Sequence, residues 1–120
     1  MKQIGNNNSV GVVDFILTRQ VEELSTLTSQ KIAGALGLNS RDITRDFESA
    51  QHIPLDRFIT REKIYRAFFI IEREPGISLE ELAKGLGFFD LQQFIKEFES
   101  YMLVHPARYK ELVQMKEISH

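Results

Sequence analysis

The chain contains no cysteine. That absence removes disulfides, thiolate zinc sites and cysteine nucleophiles together, and it suits a reducing cytoplasm. No apolar run approaches the roughly 18 residues that a membrane span needs. The opening MKQIGNNNSV lacks the apolar core of a signal peptide. An excess of basic charge is missing as well: the formal net charge is -2, whereas nucleic-acid modules are usually basic. No segment alternates with the period of two that marks a strand. No phosphate-cradling glycine loop, HExxH or nucleophile elbow occurs. The three histidines, His52, His105 and His120, are far apart and show no metal-ligand spacing. The carboxylates sit in no setting that suggests general acid-base work. The expectation is a chain that is not an enzyme, has no metal site and needs no cofactor.

What is present is enough apolar material for a packed interior, 42% of 120 residues. That length suits one domain or two very small ones. Residues 1–9 are polar and include three consecutive Asn, which reads as a flexible N-terminal arm. From Val10 the apolar residues Val13, Ile16, Leu17, Val21 and Leu24 fall at helical spacing, and Ser25 to Thr28 breaks the pattern. A short helix follows with Ile32, Ala33 and Leu36 on one face, ended by Gly37. Asn39 is a good N-cap for a third helix that buries Ile43 and Phe47. Pro54 marks a break, and a long helix starts after Leu55, capped by Asp56, and stops at Glu74-Pro75-Gly76. Ser78, with Glu81 three residues on, forms a capping box for a helix whose apolar face is Leu79, Leu82, Ala83 and Leu86. Asp90 caps another helix with Leu91, Phe94, Phe98 and Tyr101 inward. Pro106 opens the last helix, at a position where no amide donor is needed. The predicted fold class is all-α, with seven helices.

Two stretches repeat. IAGALGL at 32–38 aligns with LAKGLGF at 82–88 at a constant offset, matching Ala33 to Ala83, Leu36 to Leu86 and Gly37 to Gly87. Beyond the turn, Ile43 and Phe47 match Phe94 and Phe98, with one extra residue in the second copy. Each copy reads as a short helix, a glycine turn and a second helix, the layout of a helix-turn-helix unit. The alanines are small where two helices must cross closely, and the glycines supply the positive φ of a tight turn. The predicted organisation is a first helix-turn-helix subdomain at 10–53, a linker helix at 54–75 and a second subdomain at 76–120.

The second copy and its tail, GFFDLQQFIKEFESYMLVHPARYK, resemble the signature of the AraC/XylS-type bacterial transcription regulators. The matching residues are Gly87, Phe88, Asp90, Phe94, Phe98, Pro106 and Tyr109, with Lys110 where Arg is usual. Ala33, Leu36, Gly37, Ile43 and Phe47 match in the first copy, and Lys63 and Ala67 match in the long helix. The resemblance covers roughly residues 10–112. It implies a DNA-binding domain with two recognition helices in adjacent major grooves of an asymmetric, bipartite site. A helix of about eighteen residues spans ~27 Å, near the ~34 Å repeat of the groove on one DNA face. Three departures from the family stand out. Glu48 and Glu99 occupy places where Lys is usual after each anchoring Phe. His52 and Leu103 lie near the loop positions where the family often has Gly. The first of those loops reads as one residue short.

Periodicity leaves Arg41, Thr44 and Arg45 on the outward face of the first recognition helix, and Gln92, Gln93, Ile95 and Lys96 on that of the second. Arg and Lys can contact guanine or phosphate, Gln can pair with adenine, and Ile95 can meet a thymine methyl. These seven are the candidate DNA-binding residues. The expected partner is double-stranded DNA in a bacterial cytoplasm, with RNA polymerase and a sensory or receiver domain of a longer chain as further partners, and no membrane. A reading of another class stands beside it. The recognition helices carry more acid than base, so a degenerate copy of the fold acting as a protein-interaction module also fits. The adjacent Phe68 and Phe69, followed by Ile70 and Ile71, are either core of the middle helix or an exposed patch for a partner.

Overall fold

The computed structural model describes residues 4–118, which form eight helices and, among the described residues, no strand. In chain order these are α1 (Ile4–Leu17), α2 (Val21–Leu24), α3 (Ser29–Leu36), α4 (Ser40–Gln51), α5 (Leu55–Arg73), α6 (Leu79–Gly85), α7 (Leu91–Met102) and α8 (Pro106–Ile118). The chain divides into two compact units, and the division falls inside α5, between Glu62 and Lys63. The segment 54–75 is thus not a separate linker. Its first half supplies Leu55, Phe58 and Ile59 to the core of the first unit. Its second half, with Ile64, Ala67 and Ile71 buried, belongs to the second.

The eighth helix arises because the expected helix through Leu24 is two helices. At the end of α1, Thr18 Oγ1 donates to the Asp14 carbonyl at 2.8 Å and Arg19 Nε donates to the Phe15 carbonyl at 3.0 Å. The Arg19 side chain serves the carbonyl that its own amide would have bonded in a continuing helix, and Thr18 Oγ1 adds a second donor to a carbonyl already bonded by the Thr18 amide. α2 then starts afresh, with Glu23 accepting from the Gln20 amide at 3.4 Å. The break changes the buried face. Ser9, Val12, Ile16 and Leu24 are buried, while Leu17 is half exposed and Val21 only partly covered. The arm expected at 1–9 is also corrected. α1 begins at Ile4, and Ser9 is 1% exposed with its hydroxyl accepting from Gln51 Nε2 at 2.8 Å. Residues 1–3 lie outside the described residues.

In the first unit α1 and α3 both pack on α4. Val12, Ile16, Leu24, Ile32, Ala33, Ile43 and Phe47 form its centre, and Phe47 meets Phe58 edge-on at 5.2 Å. Each fully buried Ile or Phe contributes roughly 1.5–3 kcal/mol by leaving water. In the second unit α7 packs on α6 and α8. Its aromatic residues form a chain of ring contacts: Phe88 to Phe94 at 5.4 Å, Phe94 to Phe98 at 5.8 Å, Phe98 to Tyr109 at 6.2 Å, and Tyr109 to Phe68 at 4.6 Å. Of the four apolar residues at 68–71, Ile71 is buried, Phe68 and Ile70 are partly covered, and Phe69 is 56% exposed. Lys110 Nζ donates to the Ile77 carbonyl, tying α8 to the loop before α6. No described helix is long and apolar enough to cross a membrane.

Candidate nucleic-acid interface

Both copies of the repeat build the same local structure. Gly37 and Gly87 have φ of 70° and 84°. In each copy the residue after the glycine closes the turn on the matching alanine. The Leu38 amide donates to the Ala33 carbonyl at 2.8 Å, and the Phe88 amide to the Ala83 carbonyl at 3.0 Å. This is the six-residue closure of a Schellman motif, which needs a left-handed residue, hence glycine. Ala33 and Ala83 are buried where the short helix meets the next.

α4 and α7 then start on their expected caps. Asn39 Oδ1 accepts from the Arg41 and Asp42 amides at 2.9 and 3.1 Å. Asp90 Oδ1 accepts from the Gln93 amide at 2.8 Å. α4 and α7 each have 12 residues and match position for position. Ile43 and Phe47 stand where Phe94 and Phe98 stand, all four buried. Arg41 corresponds to Gln92, Thr44 to Ile95, Arg45 to Lys96, and Glu48 to Glu99. Both helices end on a left-handed residue that is not glycine, His52 with φ of 62° and Leu103 with φ of 60°. Their amides donate to the Glu48 and Glu99 carbonyls, each at 2.9 Å. The following loops, 52–54 and 103–105, are equal in length. His105, unassigned from sequence, caps α8: its Nδ1 accepts from the Ala107 amide at 3.0 Å.

Arg41, Thr44 and Arg45 share the exposed face of α4; Gln92, Gln93 and Lys96 are exposed on α7, and Ile95 is partly covered. Three of the seven are already engaged. Thr44 Oγ1 donates to the Ser40 carbonyl at 2.8 Å, leaving its oxygen as an acceptor. Arg45 pairs with Asp42 at 3.4 Å and Asp46 at 3.2 Å. Gln93 Oε1 accepts from the Phe89 amide at 2.6 Å. Arg41 and Lys96 have no ion-pair partner among the described residues. Periodicity alone identified the outward stripe. The pair of Arg45 with Asp42 follows from their i, i+3 spacing, while its contact with the adjacent Asp46 and the bond of Gln93 to an amide outside its helix do not.

Behind the second copy, Lys63 places its ammonium 5.8 Å from the centre of the Phe88 ring. Burial pushes its pKa down from the usual lysine value. Ala67, one turn on, is fully buried. No group of three or more His, Asp or Glu able to hold a metal occurs among the described residues.

No protein-family model matches the chain. Over 90 residues, 75% of its length, it is 24% identical to the Msm operon regulatory protein of Streptococcus mutans, and it spans about a third (32%) of that relative. The C-terminal domain of the two-component response regulator YesN from Fusobacterium nucleatum superposes with a TM-score of 0.69 at 21% identity, covering 87% of this chain and 98% of that domain. The C-terminal domain of AraT, a response regulator from Geobacillus stearothermophilus, gives 0.70 at 19% identity, covering 92% and 86%. A Listeria innocua protein of unknown function gives 0.71 at 16%, covering 93% and 98%. The chain shares the all-helical fold of these solved structures. The resemblance to AraC/XylS-type regulators read from its sequence holds at the level of fold.

Proposed function

We propose that this chain is the sequence-specific DNA-binding part of a bacterial transcription regulator of AraC type, acting in the cytoplasm. α4 and α7 are its recognition helices, entering adjacent major grooves of an asymmetric bipartite site. Arg41 and Arg45 contact guanine or phosphate from the first, and Gln92, Gln93, Ile95 and Lys96 meet bases from the second. Thr44 offers an acceptor. The amides at the start of each helix hold phosphates. The observation that carries this reading is the register match between α4 and α7. The glycine turn, the cap, the buried pair, the outward cation and the left-handed stop recur in the same order. Regulators named among the relatives support it. RNA polymerase and a sensory or receiver domain complete the proposed partners.

A second reading has its own observation. Arg45, the outward cation of α4, is held by two carboxylates, as suits a surface that meets protein instead of phosphate. Titrating the labelled chain with a mixed-sequence duplex at low salt separates the two. DNA binding predicts amide shifts concentrated in the N-terminal halves of α4 and α7. Unchanged spectra, or shifts confined to other helices, would favour the interaction module.

A further inference from the structure

Between the turn glycine and the helix cap the two copies differ in length, and the difference fixes a side chain at the candidate interface. The first copy has only Leu38 there, while the second has Phe88 and Phe89. Phe88 takes the inner place, against Phe94. Phe89 is the surplus residue and is 91% exposed. A surplus residue brings a surplus backbone donor at a helix N-terminus, where donors already outnumber acceptors. The Asp90 carboxylate does not serve it, being bonded to the Gln93 amide. Gln93 Oε1 does, at 2.6 Å. A peptide N–H can only donate, so the oxygen of the Gln93 side chain must face it. The NH₂ end is the one left facing outward. The first copy lacks this arrangement: Asp42 stands at the matching position and turns to Arg45 instead.

Resting on the DNA-binding reading above, we propose that Gln93 meets DNA through its NH₂ donor, so that its base partner is one with a major-groove acceptor and not cytosine. The familiar glutamine-adenine pair needs both ends of the amide, the oxygen for N6–H and the nitrogen for N7. In Gln93 the oxygen is turned to the Phe89 amide, which leaves the nitrogen facing outward. Guanine presents O6 and N7 as acceptors, adenine N7 and thymine O4, and an NH₂ group can donate to any of these, whereas cytosine presents only its N4–H₂ donor. Gln92 is exposed, and its side chain makes no hydrogen bond among the described residues, so it keeps both ends for adenine. The adjacent glutamines therefore differ in the groups they present to a base.

Two variants test this. Gln93→Glu keeps an acceptor for the Phe89 amide and has no donor; Gln93→Ala has neither. Hydrogen exchange at the Phe89 amide in the free protein reads the cap alone. It should be several-fold slower in the wild type and in Gln93→Glu than in Gln93→Ala. Equal rates in all three overturn the inference. Selection of duplexes from a random library reads the base. The wild type should exclude cytosine at one position, and Gln93→Glu should move that position to cytosine by about tenfold, since a carboxylate accepts from cytosine N4. Cytosine in the wild-type motif at the position that changes, or a motif in which nothing changes, overturns this assignment and leaves DNA binding standing. No motif from either protein overturns the DNA-binding reading, and this assignment with it.

Discussion

The Arg45 guanidinium donates to the Asp46 carboxylate, Nε to Oδ1 at 3.2 Å, and Asp42 lies 3.4 Å from its Nη1. All three groups are on the surface, so the pairs hold the fold together only weakly. Their effect falls on what Arg45 can do next. A phosphate or guanine must compete with two local carboxylates, and each carboxylate repels the DNA backbone in its own right.

The double variant Asp42→Asn/Asp46→Asn should therefore bind DNA more tightly, by about tenfold at ~0.1 M salt, through release of Arg45 and loss of two negative charges. The same variant should fold slightly less well, by about 0.3–1 kcal/mol, because Asp42 sits in the first turn of α4, where a negative charge is favoured. Fluorescence anisotropy and thermal melting measure the two. Weaker binding would mean that the carboxylates position Arg45 and do not compete for it.

Leu103 ends α7 in the left-handed region while 87% exposed. A branched side chain there carries strain that glycine lacks. Leu103→Gly should raise stability by about 0.5–1 kcal/mol, and His52→Gly by a similar amount. Urea titration checks both, and a loss in either would show that the side chain makes a contact that outweighs the backbone gain.

Gln51→Ala should cost about 1 kcal/mol. It withdraws the donor that satisfies the buried Ser9 hydroxyl and ties the start of α1 to the end of α4. The loss should appear in denaturant midpoint and as faster amide exchange in the first turns of α1.

Tyr109 stacks on Phe68 and hydrogen-bonds Glu72. Burial, and then the Glu72 charge and hydrogen bond, push its pKa up to about 12 from the usual 10. The neutral phenol is the favoured form in the folded chain. The stability it contributes is whole below pH 10 and is lost as pH rises through 12. Between pH 9 and pH 11.5 the wild type should lose more stability than Tyr109→Phe, which has no proton to release there. Parallel losses would remove Tyr109 from the alkaline transition.

Much of this fold was legible because its signals are local. Asn39, Ser78, Asp90 and Pro106 mark helix starts by their own chemistry, and the pairs Ile43/Phe47 and Phe94/Phe98 mark inward faces by spacing. Asp56 lies in the first turn of α5 and not before it, a one-residue shift of the kind helix ends show. The break at 18–20 was hidden because it has neither glycine nor proline; it depends on the Thr18 and Arg19 side chains turning back to carbonyls of α1. The register of α1 was misread for the same reason, since periodicity carried past Leu17 points to the wrong stripe. At the interface, the outward residues followed from the buried ones, but the orientation of Gln93 depends on an amide donor created by the insertion of Phe89.

The most direct test of the central claim is selection of bound duplexes from a random DNA library by the purified chain, at low and then moderate salt. The account predicts an enriched bipartite motif with half-sites about one helical turn apart, retained at moderate salt and lost from one half in Arg45→Ala and from the other in Lys96→Ala. Enrichment without a motif, or none at either salt, would contradict it.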